Sequence, residues 1–162
     1  MVNLDVLKPA VRAAWGPDTC DVAAREEWRP DNPARGQCGT TALVVHDLLG
    51  GDLILAEVHV DGVKVGHHYW NRLPDGTEID LTDDQFRPGE VVAGGVVQHR
   101  PPDAPRRCRE EYELLRHRVL SALSSPRPSG AGPVGEEGGA EAADLVDDHV
   151  GVAGAGDQAG PA

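Results

Sequence analysis

Two Asp-Gly dipeptides, Asp61-Gly62 and Asp75-Gly76, sit between runs in which apolar and polar residues alternate. This pattern constrains the fold more than any other feature of the chain. Asp-Gly supplies the positive backbone angles that tight hairpin turns demand. "DLILAEVHV" and "VKVGHHYWNRL" flank the first turn, and "TEIDLT" follows the second. Residues 52–82 are therefore expected to form a three-stranded antiparallel meander. "VVAGGVVQHR" adds a candidate edge strand, weakened by Gly94-Gly95.

Helical periodicity frames the meander. Val6, Leu7, Ala10, Val11, Ala14 and Trp15 recur at helical spacing behind a candidate N-cap, Asn3, and Gly16-Pro17 stops the run. From Cys38 to Leu49 the stripe Ala42, Val45, Leu48 and Leu49 predicts a second, largely buried helix closed by Gly50-Gly51. Between the two lies an irregular stretch, 16–37, expected to be pinned to the body by Trp28. A last helix is expected over roughly 105–123, with Tyr112, Leu115, Val119 and Leu123 on one side. Helices before and after an antiparallel sheet make an α+β domain, residues 1–124.

Composition changes abruptly after that. Residues 125–162 are rich in Gly, Ala, Pro and acids and contain no aromatic residue. Such a segment cannot bury enough apolar surface to offset its ordering entropy, so a disordered acidic tail is expected. The tail holds seven acids against one arginine, which accounts for −6 of the chain's net charge of −12. With no basic stripe in either part, neither nucleic acid nor an anionic membrane is an expected partner. Asp5 and Lys8 interrupt the N-terminal apolar run, so no signal peptide is expected, and no stretch approaches a membrane span. Cys20, Cys38 and Cys108 are far apart and form neither a CxxC pair nor an even disulfide framework. A cytoplasmic, reduced protein is the consistent expectation.

The chemistry centres on Cys38, which opens the second helix. A thiol acts as a nucleophile only as thiolate, so it needs a lowered pKa, a base and a donor for the oxyanion. The positive end of a helix favours the thiolate. Gly36 and Gly39 on either side are expected to allow close approach and to keep the first turn open. His67 and His68 are neighbours on a strand, so only one of them faces any single site. His68 shares a face with Trp70 and Arg72. Asp80, on the next strand, is the candidate carboxylate to orient it. A two-residue turn at Asp75-Gly76 would pair Asn71 with Asp80 and leave Asp80 on the His67 face. A bulge or a longer turn is needed to bring Asp80 beside His68. Asn32 and Gln37 are the side-chain amides available for the oxyanion, alongside the backbone N–H of Cys38. His59, His67, His68 and Cys38 match no zinc spacing, so neither a metal nor any other cofactor is expected.

The strings "DNPARGQCGTTALVVHDLLGG" and "HYWNRLPDGTEIDLTDDQF" resemble the YunG-like proteins of Gram-positive bacteria, from about Val11 to the "REEYELL" segment. That resemblance implies a papain-like cysteine-hydrolase arrangement with Cys38, His68 and Asp80 as its triad. His68-x-Trp70 followed by Asp80-x-Thr82 is similar to the transglutaminase core. Arg35-Gly36 is similar to the arylamine acetyltransferases, with Gln37 replacing their second glycine. Asn32 holds the slot, six residues before the cysteine, where papain carries a glutamine. The expected function is cysteine-dependent hydrolysis or acyl transfer on an amide, peptide, isopeptide or thioester. The alternative is an inactive papain-like frame that binds a peptide or small molecule, and a weaker third is a metal-binding domain using the histidines. Neither the substrate nor the oligomeric state follows from the residues.

Overall fold

A computed structural model describes residues 2–125; the expected tail therefore lies almost wholly outside the described residues. The first helix, α1 (Leu4–Ala14), starts where the Asn3 side chain accepts a hydrogen bond from Val6 N at 3.1 Å. A short 3-10 turn, Val22–Glu27, interrupts the irregular stretch that follows. Then come α2 (Cys38–Leu49), β1 (Asp52–Val60), β2 (Val63–Arg72), β3 (Glu78–Ile79), a 3-10 turn at Asp83–Gln85, β4 (Glu90–Gln98) and α3 (Arg109–Ser124). The fold is α+β.

The strands form one antiparallel sheet in the order β3-β2-β1-β4. The candidate edge strand is real and completes a four-stranded sheet by pairing with β1. Gly94-Gly95 falls where the β1–β4 register shifts, between Leu55 and Glu57, so the glycines accommodate a bulge and do not end the strand. The helices share their own apolar core. Leu7 and Val11 of α1, Val44 and Val45 of α2, and Leu115 and Val119 of α3 are all fully buried, and Leu81 joins them from the chain beyond β3. The last helix begins at Arg109, four residues later than its apolar spacing suggests, because Cys108 takes a left-handed conformation at its start.

Trp28 is half-buried, and its hydrogen bond stays within the irregular stretch. The indole N–H donates to Pro33 O at 3.1 Å, closing the stretch on itself. Anchorage comes from fully buried Thr19, Cys20 and Ala34, and from Arg35, whose guanidinium grips Glu27 and Glu90.

The two hairpins differ in a way that matters later. Asp61 and Gly62 both have positive φ and join Val60 to Val63 by the two-residue turn that their sequence predicts. The second connection is longer. Leu73 N donates to Thr77 O at 2.8 Å and Gly76 N to Leu73 O at 2.9 Å, so Pro74, Asp75 and Gly76 form a three-residue loop, with Gly76 at φ +87°.

The joint between α2 and β1 tolerates no side chain. Gly51 has φ +87°, and a Cβ there would stand 2.0 Å from the carbonyl oxygen of Arg72. Gly51→Ala is therefore expected to lower the unfolding free energy by about 3 kcal/mol in urea titrations. Gly62→Ala, where a Cβ meets only open space, is expected to cost about 1 kcal/mol.

Candidate functional site

The position of Cys38 is set by a knot of buried polar groups beneath the start of α2. Gln37 is fully buried; its Nε2 donates to Gly16 O at 2.8 Å and its Oε1 accepts from the Thr19 hydroxyl at 2.9 Å. Thr40 reaches the Thr19 carbonyl at 3.1 Å, and the Trp15 indole donates to the Thr41 hydroxyl at 2.9 Å. Gly36 packs against Cys20 and Ala24, where a Cβ would meet the Cys20 sulfur at 2.4 Å. Its closeness thus serves internal packing. Nothing stands within 4 Å of a Cβ built at Gly39, and no side chain caps α2. The first turn is left open with its backbone N–H groups uncapped.

His68 lies in the middle of β2 opposite Ala56, and the small partner leaves room for the ring. It is 2 % exposed. The three-residue loop sets the β2–β3 register at Asn71↔Ile79 and Arg72↔Glu78. Continued by one residue, that register sets Asp80 opposite Trp70, on the face that carries His68. The longer turn is thus what brings the two together. His68 Nε2 and Asp80 Oδ2 are 2.5 Å apart. Asp80 is itself held, since its Oδ1 accepts from Thr82 N at 2.9 Å and from the Thr82 hydroxyl at 3.0 Å. Burial disfavours the charged ring, but the hydrogen bond to Asp80, and then the Cys38 side chain, outweigh it and push the His68 pKa up to about 9. Cys38 also helps raise the Tyr69 hydroxyl pKa, after burial. His68 and Asp80 therefore meet, and Cys38 is near enough to help raise the pKa of the ring, although α2, β2 and the end of β3 are distant in sequence.

The other candidates do not join them in the same way. Gln37 is committed to Gly16 and Thr19. Asn32 donates through Nδ2 to Gln85 O at 3.0 Å, and its Oδ1 is buried without a partner. His67 is exposed, and His59 sits beside Glu57 at 3.0 Å. Among the described residues no group of three His, Cys, Asp or Glu side chains is placed to hold a metal ion.

Two residues at the site went unnoticed in the sequence. Phe86 makes a T-shaped contact with the imidazole at 4.8 Å between centroids, and Trp70 stacks on it at 5.7 Å. Gln85, 5 % exposed, sets Nε2 3.2 Å from His68 Nδ1. "DDQF" carries no periodicity or motif that singles it out; only the 3-10 turn after Thr82 folds it back. Beside the imidazole a cleft of about 380 Å³ is lined by Trp70, Ile79, Phe86 and Val92, with Glu78 and Asp83 among its charged walls.

Comparison with known proteins adds the following. A family model described as "YunG protein" matches residues 3–124. A curated relative, "Uncharacterized protein YunG" of Bacillus subtilis (strain 168), is 34% identical over 103 residues, which span 61% of this chain and 80% of that protein. No solved structure matches the chain. No helix among the described residues is long and apolar enough to cross a membrane.

The buried pair makes stability depend on pH. The folded-state pKa of His68 is raised, so its contribution is fully present below the ordinary value near 6.5 and is lost as pH rises through about 9. Unfolding free energy is expected to fall by on the order of 2–3 kcal/mol between pH 6.5 and 9.5. Asp80→Asn should flatten that slope, as measured by urea unfolding across the range.

Proposed function

The chain belongs to the YunG family, and from that premise we propose that it is a cysteine-dependent hydrolase or acyl transferase on a papain-like frame. Cys38 is the nucleophile, His68 the base and acid, and Asp80 the residue that orients His68. The observation that carries this reading is the 2.5 Å contact between a buried imidazole and Asp80, with Cys38 opening an uncapped helix and helping to raise the pKa of that ring.

With Nε2 committed to Asp80, Nδ1 is the nitrogen left to take the Cys38 proton. The thiolate attacks a carbonyl carbon, and the oxygen turns toward the N–H groups that open α2. When the intermediate collapses, the leaving group takes the proton from Nδ1. Water or an acceptor amine then releases the acyl group. The cleft beside His68 is at the small end for a ligand site, so it suits one side chain or a short acyl group. The substrate bond is an amide, peptide, isopeptide or thioester.

A second reading has one observation in its favour. Gln85 Nε2 lies on Nδ1 at 3.2 Å, so the nitrogen that the reaction requires is already engaged. A papain-like frame that binds a peptide or small molecule without turnover would leave such a contact undisturbed.

Iodoacetamide at neutral pH, read peptide by peptide in a mass spectrometer, separates the two. In the enzyme Cys38 labels faster than Cys20 and Cys108, and His68→Ala slows that labelling by about 10²-fold or more. Asp80→Asn slows it by a smaller factor. Equal Cys38 rates in wild type and His68→Ala would leave the binding module standing.

A further inference from the structure

We propose that Gln85 is a catalytic residue of this site: its side-chain N–H, held on His68 Nδ1 while the ring is neutral, moves to the substrate's carbonyl oxygen once Nδ1 carries the Cys38 proton. The proposal rests on the nucleophilic reading of Cys38. It also assigns the oxyanion donor that neither Asn32 nor Gln37 supplies. Gln37 has both amide atoms bonded beneath α2, and Asn32 spends Nδ2 on the backbone of Gln85.

The direction of the Gln85 amide follows from its second partner. Gln85 Nε2 donates to Thr82 O at 3.0 Å, and a carbonyl oxygen only accepts. The nitrogen must therefore face Thr82, which fixes an N–H, not the amide oxygen, toward Nδ1 at 3.2 Å. An N–H is accepted there only while Nδ1 holds a lone pair. The contact therefore belongs to the neutral form of the ring, the tautomer that donates from Nε2 to Asp80, and is given up in the charged form that the Asp80 contact favours. Asn32 holds the Gln85 carbonyl, and the side chain is 5 % exposed, so the amide has little freedom to turn over. Around the ring stand Asp80 beyond β3, Cys38 on α2, Trp70 on β2 and Phe86 after the 3-10 turn. The charged group bonded to the ring is Asp80. Gln85 is thus the neutral group that opposes protonation of Nδ1.

Proton transfer reverses this relation. The Sγ–H bond breaks and the proton moves to Nδ1, which can no longer accept from Gln85. The Sγ–C bond forms as the C=O π pair moves onto oxygen, next to the nitrogen that has just released the amide. The freed N–H donates to that oxygen. When the bond to the leaving group breaks, the leaving group takes the proton from Nδ1, whose lone pair recovers the Gln85 N–H. The donor is engaged with the enzyme while the ring is neutral and with substrate while the ring is charged and the oxyanion is present, so its stabilisation favours the transition state.

Two reagents separate this role from mere packing. Iodoacetamide alkylates Cys38 by displacement and forms no oxyanion, whereas p-nitrophenyl acetate acylates it through a tetrahedral one. In the full-length protein, Gln85→Met, similar in length but without an N–H donor, is expected to alkylate within about threefold of wild type. Its acylation burst should slow by about 10²-fold. Gln85→Glu keeps the shape, attracts the imidazolium and cannot donate; it is expected to alkylate faster than wild type and acylate more slowly. Those opposite signs are not expected from a packing defect. Acylation at the wild-type rate in Gln85→Met, or equal slowing of both reactions in both variants, would overturn the proposal. If wild type and His68→Ala react equally with both reagents, the nucleophilic reading itself has failed and the Gln85 role falls with it. That result is read without any change at Gln85.

Discussion

One residue of loop length decides whether Asp80 reaches His68 at all. Strand side chains alternate between faces, so a register displaced by one exchanges every face assignment beyond the turn. With a two-residue turn at Asp75-Gly76, Leu73 would pair with Glu78 and Asp80 would stand on the His67 face. With Pro74, Asp75 and Gly76 all in the loop, β3 shifts by one and Asp80 comes onto the His68 face. Gly76 at φ +87° makes that loop inexpensive, because the third position of such a turn is left-handed. The Thr77 amide bonded to the Asp75 carboxylate at 2.9 Å helps to close it. The contact between His68 and Asp80, the 3-10 turn after Thr82 and the placement of Gln85 all follow from that register.

The Cys38 side of the candidate site depends on a different device. A helix start that is to stay open for a substrate cannot hold itself with a side-chain cap. Here Gln37, Thr19, Thr40 and Trp15 take over from below through buried hydrogen bonds, leaving the amides above uncapped. Each of these groups is satisfied by another in the knot, which is the condition under which buried polar residues rigidify a structure instead of weakening it. Gln37 precedes the cysteine and invites a catalytic role by position alone, yet its amide is the strut on which that cysteine rests.

What the sequence made legible follows the range of the interactions involved. The helices α1 and α2, the Asn3 cap, the first hairpin and the α+β class come from local periodicity and turn chemistry, and they appear as expected. Cys38, His68 and Asp80 stand out in the sequence as residue types in the order that papain-like hydrolases use. The register that admits Asp80 was not readable there, because Asp-Gly serves both two-residue and three-residue loops, and the choice depends on the pairing that the strands reach together. Gln85 and Phe86 were invisible for another reason. They reach His68 through a turn of three residues whose position depends on Asp80 holding Thr82, and a short polar segment advertises none of that. The start of α3 was misplaced because left-handed geometry at Cys108 has no signature in "RRCREE".

Asp80 and Gln85 therefore set opposite demands on one ring. A carboxylate on Nε2 favours the imidazolium that a thiolate needs, and an amide N–H on Nδ1 favours the neutral ring that precedes it. If only the first acted, the ring would hold its charge tightly and be slow to give the proton to a leaving group. The second alone would leave it slow to take the proton from Cys38. A general acid-base must do both in each cycle, and it works best when neither protonation state is strongly trapped. The two partners are tied to the same few residues, Asp80 through the amide and hydroxyl of Thr82 and Gln85 through its carbonyl. Thr82, 1 % exposed, is thus the point through which the two opposing partners of His68 are held in register with each other.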